Sequence, residues 1–227
     1  MNGILNLNKP PGISSAAAVN RVKRLLPRGT KIGHAGTLDP FATGVLLLLI
    51  GKATKQCEAL MNQPKQYEAT LKFGTTTATD DPESPEIPYP NAQEPSLQQI
   101  QETLPRFTGQ IQQRPPIFSA MKVAGRRAYE LARSGEATPI LAPRPVMVYA
   151  IELLDYTWPL LRLRIDCGRG TYIRSIARDL GEALHAGAHL TQLARTRVGT
   201  FTLEQSLDLS QLTPDQFARH LHPNAGV

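Results

Sequence analysis

The chain is built around the stretch Gly33-His34-Ala35-Gly36-Thr37-Leu38-Asp39-Pro40-Phe41-Ala42-Thr43-Gly44, which leads directly into Val45-Leu46-Leu47-Leu48-Leu49-Ile50. The glycines, the proline and the threonines of the first part disfavour a helix, whereas the uninterrupted apolar run predicts a fully buried strand. Asp39 is the only carboxylate between Met1 and Cys57. Two interpretations are open: a turn whose aspartate hydrogen-bonds its own backbone, or a functional site.

Length and composition predict a globular protein. The 227 residues, 41% hydrophobic and 19% charged, fit one large domain or one domain with a small appendage. The apolar run 45–50 is too short to cross a bilayer, and the N-terminus lacks the pattern of a signal peptide. From these features we expect no contact with membranes. Because the two cysteines, Cys57 and Cys167, are few and far apart, we also expect a reducing, cytoplasmic location.

The net charge of +6 is unevenly distributed along the chain. No lysine or arginine lies between Phe73 and Pro105, so the remainder is more basic than the total indicates. Basic residues are concentrated in two clusters. The first consists of Arg106, Arg114, Lys122, Arg126, Arg127 and Arg133. The second spans 162–178 and consists of Arg162, Arg164, Arg169, Arg174 and Arg178. Such clusters indicate a polyanionic partner, which could be RNA, DNA or an anionic surface.

The pattern of elements predicts the α+β class with a largely antiparallel mixed sheet flanked by helices, because the strands outnumber the helices and short turns join most of them. Residues 67–73 alternate as a half-buried strand, and a helix is predicted over 171–184. The segment 75–95 is rich in proline and acidic residues, so we expect an exposed acidic loop.

The generic cofactor motifs are missing from this sequence. It contains neither a glycine-rich phosphate loop nor a dinucleotide fingerprint, and its histidines do not stand at metal-ligand spacing, so we expect no cofactor and no metal. What remains is Asp39, Tyr67 on a strand, and Tyr172 with Arg174 at a helix start. A lone carboxylate can act as a nucleophile when a guanidinium keeps it ionised, and aromatic rings nearby suit a flat nucleobase.

These residues belong to motifs that resemble the tRNA pseudouridine-55 synthases of the TruB type. The loop 33–46 resembles the family's signature, and the resemblance extends from Asn2 to Leu212. The other motifs are Asn8-Lys9-Pro10-x-Gly12 with Ser14-Ser15, Lys65-x-Tyr67, Arg114-Pro115-Pro116-x-x-Ser119-Ala120-x-Lys122 with Gly125 and Ala128-Tyr129, Gly170-Thr171-Tyr172-Ile173-Arg174, and Leu193-x-Arg195-Thr196-x-x-Gly199-x-Phe201.

The resemblance implies a pseudouridine synthase fold and the conversion of uridine 55 to pseudouridine in the T-loop of tRNA. Asp39 would form the covalent intermediate, on C6 of the base or on C1′ of the ribose, and Arg174 would pair with it. Tyr67 would stack on the flipped base and help to move the C5 proton. Tyr172 and Leu193 would line the pocket, and His34 would stack where the flipped nucleotides leave the loop.

The domain organisation is where the sequence departs from the family, because its members usually continue into a small C-terminal RNA-binding domain of the PUA type. We expect a catalytic domain over 1–212 and a short tail over 213–227 without a full domain of that type. We also expect a monomer that binds tRNA. Two other functions compete with this one: a non-catalytic tRNA-folding helper or ribonucleoprotein subunit, and an unrelated hydrolase that uses His34 and Asp39 as acid and base. The set of Asp39, Tyr67 and Arg174 favours the enzyme over the first, because binding alone needs no buried carboxylate. The hydrolase would have no reason to hold Tyr67, Tyr172 and Arg174.

Overall fold

The helices and strands were located in a computed structural model, which describes residues 1–119, 122–123, 126–127 and 141–223. Residues 122–123 and 126–127 are described by their backbone alone, as a two-stranded ladder. Part of the middle motif, namely Ala120, Gly125 and Ala128-Tyr129, lies outside the described residues. The sequence also predicts a helix over 128–133, and it too lies outside the described residues.

The described strands outnumber the helices. The strands are β1 (Gly3–Lys9), β2 (Ile32–His34), β3 (Thr43–Ile50), β4 (Lys65–Phe73), β5 (Thr75–Thr77), β6 (Glu86–Pro88), β7 (Gly109–Gln113), β8 (Lys122–Val123), β9 (Arg126–Arg127), β10 (Arg144–Thr157), β11 (Leu160–Cys167), β12 (Ala188–Val198), β13 (Phe201–Thr202), β14 (Leu207–Asp208) and β15 (Leu221–His222). The helices are α1 (Ser15–Lys23), α2 (Cys57–Asn62), α3 (Leu97–Thr103), α4 (Ile173–Ala183) and α5 (Pro214–His220). Three short 3-10 turns cover Gly51–Gln56, Leu104–Phe107 and Leu209–Gln211.

The chain divides into two compact units. Unit 1 comprises Met1–Glu68 and Gln192–Val227, and unit 2 comprises Ala69–Thr191, so the strands β4 and β12 contribute residues to both units. The single catalytic domain over 1–212 stays a prediction. Residues 214–222, which fall in the predicted tail, form α5 and β15 within unit 1.

Unit 1 is organised around β3. This strand pairs antiparallel with β1 and β2 and parallel with β12. Its side chains are buried on both faces of the sheet, with Val45, Leu47 and Leu49 in one core cluster beside Ile4 and Leu60. Burial on both faces explains why the strand is a continuous apolar run rather than an alternating one.

Unit 2 contains the antiparallel ladder of β7, β10 and β11. Along β11 the buried residues alternate, at Leu161, Leu163, Ile165 and Cys167. The helix α4 buries Ile176 and Leu180. With most strand pairs antiparallel and helices accompanying the strands, the predicted α+β class is confirmed.

The exposure that we predicted for 75–95 is wrong for part of the segment. The strands β5 and β6 form a small hairpin, and Thr77, Thr79 and Asp81 are buried. Other residues of the segment, such as Glu86 to Pro88, are exposed as expected. Its proline and acid content could not reveal that one of the carboxylates has a buried cationic partner, which is described below.

Within the described residues, no helix combines the length and the apolar character needed to cross a membrane.

Candidate active site

Asp39 lies in the loop that joins β2 to β3 in unit 1, and it is half-buried. The amide of Ala42 donates to the Asp39 carbonyl at 3.1 Å, which closes a turn around Pro40. Gly36 and Gly44, near the two ends of the loop, have φ angles of +102° and +101°. Residues other than glycine rarely adopt this backbone conformation. The stretch is therefore a turn that carries Asp39, and its role as a functional site stays a prediction.

Two polar side chains from the N-terminal segment hold the loop next to Asp39. The Leu38 amide donates to the Ser15 hydroxyl at 2.8 Å, and that hydroxyl donates back to the Leu38 carbonyl at 3.0 Å. On the other side, the buried Lys9 ammonium donates to the Pro40 carbonyl at 3.1 Å. The backbone on both sides of Asp39 is thus fixed by side chains from β1 and α1.

A third side chain that contacts the loop is that of Arg195, which lies on β12 in the C-terminal part of the sequence. Its guanidinium donates to the carbonyls of Gly36 at 3.1 Å, Thr37 at 3.4 Å and Val45 at 2.8 Å. Arg195 is 1% exposed. The sequence motif contained this residue, but no role was assigned to it, because its acceptors lie about 150 residues away.

His34 ends β2 in the same unit. Burial lowers the pKa of His34 below its ordinary value of 6.5, and the nearby Arg195 cation lowers that pKa further. Among the described residues nothing hydrogen-bonds to its buried Nδ1. A neutral imidazole at neutral pH follows, which suits a ring that stacks on a base.

Tyr67 and Leu193 lie in unit 1, in the parts of the neighbouring strands β4 and β12 that belong to it, and both are mostly buried. The alternation predicted for β4 is confirmed, since Tyr67 shares the buried face with Ala69, Leu71 and Phe73. The hydroxyl of Thr43 donates to the Leu193 carbonyl at 3.5 Å. Leu193 is therefore next to the point where the Asp39 loop enters β3.

Arg174 lies in unit 2, in the first turn of α4, and is buried. Its Nη1 is 3.1 Å from Oδ2 of Asp81, and the side chains of the two residues are 4% and 3% exposed. The guanidinium also donates to the carbonyls of Thr79 at 3.0 Å and Phe118 at 2.9 Å. The pairing of Arg174 with Asp39 stays a prediction, whereas the pair with Asp81 is a feature that the sequence did not indicate.

A second ion pair lies beside the first. Asp80 is 3.1 Å from Arg178, and burial raises the pKa of Asp80 to about 6 although the Arg178 cation opposes the rise. Arg178 also pairs with Asp179 at 2.8 Å. Arg174 and Arg178, which we counted among the basic cluster of 162–178, are thus engaged inside unit 2.

Tyr172 precedes α4 and is fixed through its backbone. Gln113 donates to the Tyr172 carbonyl at 3.0 Å and accepts from the Tyr172 amide at 2.7 Å. The Arg144 guanidinium carbon lies 5.3 Å from the centre of the tyrosine ring, within cation–π range. Gln113 and Arg144 are further residues that the sequence patterns did not identify, because each is distant along the chain.

Within the described residues, no group of three or more histidine, cysteine, aspartate or glutamate side chains could hold a metal ion.

Comparison with known proteins agrees with the sequence motifs. A family model described as TruB family pseudouridylate synthase (N terminal domain) matches residues 23–173. Another, described as tRNA pseudouridylate synthase B C-terminal domain, matches residues 174–222. The resemblance stated above is confirmed by these matches.

Individual relatives match over most of the chain. The tRNA pseudouridine synthase B of Bacteroides fragilis is 46% identical over 211 residues, covering 90% of this chain and 90% of that protein. The protein of the same name from Phocaeicola vulgatus is 45% identical over 212 residues, covering 91% and 89%. A chain in the crystal structure of a Cbf5-Nop10-Gar1 complex is 32% identical with a TM-score of 0.72, and it aligns with 96% of this chain. The match covers 55% of that structure's chain, so this protein spans about half its length.

Since the first model covers more than half of the chain and the relatives align with nine-tenths of it, the chain belongs to the TruB family of pseudouridylate synthases.

Proposed function

We propose that the protein converts uridine to pseudouridine in the T-loop of tRNA, at position 55, with Asp39 as the nucleophile. The observation that supports this most directly is the fixation of the Asp39 loop by the side chains of Lys9, Ser15 and Arg195. A surface turn does not need three polar side chains bonded to its backbone, whereas a nucleophile needs one defined direction of attack.

The chemistry requires a base that has left the RNA stack. Extrusion costs a few kcal/mol and is cheapest in a loop, which favours a loop uridine as the substrate. Asp39 then forms the covalent intermediate, through C6 or through C1′. The glycosidic bond between N1 and C1′ breaks, the ring turns, and a C–C bond forms between C5 and C1′. The bond to Asp39 also breaks, which regenerates the carboxylate. C5 loses its proton and N1 gains one, so there is no redox change and no need for a cofactor.

Each other site residue has a role in this proposal. Tyr67 stacks on the extruded base and helps to move the C5 proton, and Leu193 and Tyr172 line the base pocket. His34, neutral at physiological pH, stacks beside the flipped nucleotides. Arg174 supplies the cation that an ionised nucleophile requires. Because its substrate is tRNA, we place the enzyme in the cytoplasm, where it acts as a monomer.

The RNA is expected to lie on basic residues that are exposed. The helix α1 and the turn after it carry Arg21, Lys23, Arg24 and Arg28, all of which are exposed. Such residues fit contacts to phosphates, which position RNA without reading its sequence.

The experiment measures release of tritium from C5-labelled uridine in a tRNA transcript. We expect release by the wild type and a loss of roughly 10³-fold or more in Asp39→Asn, because its amide is not a nucleophile. The exposed Asp215 on α5 of the same unit offers a matched control, and Asp215→Asn should keep the wild-type rate.

Two outcomes would contradict the proposal. Wild-type protein that binds the transcript without releasing tritium would favour the non-catalytic tRNA-binding function. Full activity in Asp39→Asn would show that the nucleophile is another residue.

A further inference from the structure

Arg195 is the bulkiest of the fully buried side chains in the described part of the chain. Among the described residues, the hydrogen-bond acceptors of its guanidinium are backbone carbonyls, and none of them is a carboxylate. Burying a guanidinium against neutral acceptors alone is costly, and an apolar side chain would fill the same space at less cost. The charge and the shape of this side chain therefore call for another explanation than packing.

The acceptors of the guanidinium lie on both sides of Asp39. Gly36 and Thr37 precede the aspartate, and Val45 follows it as an early residue of β3. One rigid planar group thus ties the start of the loop to its end. A lysine at this position has one nitrogen on a flexible stem and cannot reproduce the fork.

The Arg195 backbone meets the loop as well. Arg195 is paired with Gly44 in the parallel ladder of β12 and β3. A Cβ at Gly44 would lie 2.3 Å from the Arg195 carbonyl oxygen, so only glycine fits there. Both the main chain and the side chain of Arg195 are therefore in contact with the ends of the loop that carries Asp39.

We propose that Arg195 is the positioning residue of the Asp39 loop, whose guanidinium holds the backbone before and after Asp39 so that the carboxylate keeps one direction of attack. This inference rests on the proposed function, which makes Asp39 the nucleophile. Arg195 itself touches neither the substrate nor the reacting atoms in this proposal.

The test compares Arg195→Met and Arg195→Lys with Asn6→Ala. Asn6 is also buried in unit 1, but its amide donates to the Thr202 carbonyl at 2.8 Å and not to the loop. For each variant we would measure the single-turnover rate at saturating enzyme, the Kd for tRNA and the thermal midpoint. Saturation separates chemistry from binding, so a merely structural change in affinity would not alter this rate.

We expect the single-turnover rate to fall roughly 100-fold in Arg195→Met and about 10-fold in Arg195→Lys, because small misplacements of a reacting group have effects of this size. The Kd should stay within about threefold of the wild type. Asn6→Ala should keep the wild-type rate even where its thermal midpoint falls as far as that of Arg195→Met.

Asp39→Asn, measured in parallel, separates this inference from the proposed function. If Asp39→Asn is active, the proposed function fails. If Asp39→Asn is inactive while folded Arg195→Met keeps the wild-type rate, or slows no more than Asn6→Ala does, the positioning role is rejected. It is also rejected if neither Arg195 variant is folded at the assay temperature, because Arg195 would then serve the fold.

Discussion

Replacing Asp81 by asparagine tests whether the buried pair with Arg174 serves catalysis. The substitution keeps the size of the side chain and can keep Oδ1, which accepts from the Thr79 hydroxyl at 2.5 Å and the Glu83 amide at 3.0 Å. What changes is Oδ2, the atom 3.1 Å from the Arg174 guanidinium, which becomes an NH₂ group facing another donor. Arg174 keeps its carbonyl acceptors at Thr79 and Phe118 but loses its charged partner in unit 2.

The magnitude follows from the burial of both partners. Removing one partner of a buried ion pair costs about 3–5 kcal/mol, and because the bonds of Oδ1 survive we take about 3 kcal/mol for this case. If between half and all of that cost is added to the activation free energy of the reaction, the rate falls roughly 10- to 100-fold. The reason is that about 1.4 kcal/mol corresponds to a factor of ten in rate.

The assay is single-turnover tritium release at saturating enzyme, with Asp80→Asn as the control. Asp80 is adjacent and pairs with Arg178, and its φ of +59° is one that asparagine tolerates. We expect Asp80→Asn to stay within about threefold of the wild-type rate. A folded Asp81→Asn with the wild-type rate would refute the reasoning, as would an equal loss in both variants.

Two further predictions concern pH and salt. The pKa of His34 is lowered below 6.5 in the folded state. As the pH falls, the His34 imidazole therefore binds a proton at a higher pH in the unfolded chain than in the folded protein. The free energy of unfolding from urea titrations should therefore fall below about pH 6.5 in the wild type, and less so in His34→Gln; an equal fall in both would contradict the assignment. The affinity for tRNA should drop steeply with salt, and the double variant Arg21→Ala/Arg24→Ala should lower the slope of log affinity against log salt, because fewer counterions are released. An unchanged slope would exclude Arg21 and Arg24 from the RNA interface.

Local patterns were sufficient for the strands β3 and β4 and for the loop that carries Asp39. The apolar run 45–50 is buried on both faces of its sheet, as a continuous run indicates, and the alternation of β4 placed Tyr67 on the buried face. Glycines and Pro40 predicted the turn that presents Asp39. These features depend on neighbouring residues, so the sequence carries them directly.

The partners of the site residues were decided only by the tertiary structure. The composition of 75–95 predicted solvent exposure, yet Asp81 is buried because Arg174, far along the chain, neutralises it. The same holds for Gln113, which fixes the backbone of Tyr172. Burial of a polar residue depends on whether a distant group satisfies it, and no local period encodes that group.

The loop of Asp39 combines both kinds of information. Its sequence determined that there would be a glycine turn before a buried strand, with one carboxylate in it. That Arg195 would satisfy Gly36, Thr37 and Val45 was decided by the parallel pairing of β12 with β3. The physical reason is that a strand pairing brings together residues about 150 positions apart, whereas a turn is specified by the residues that compose it.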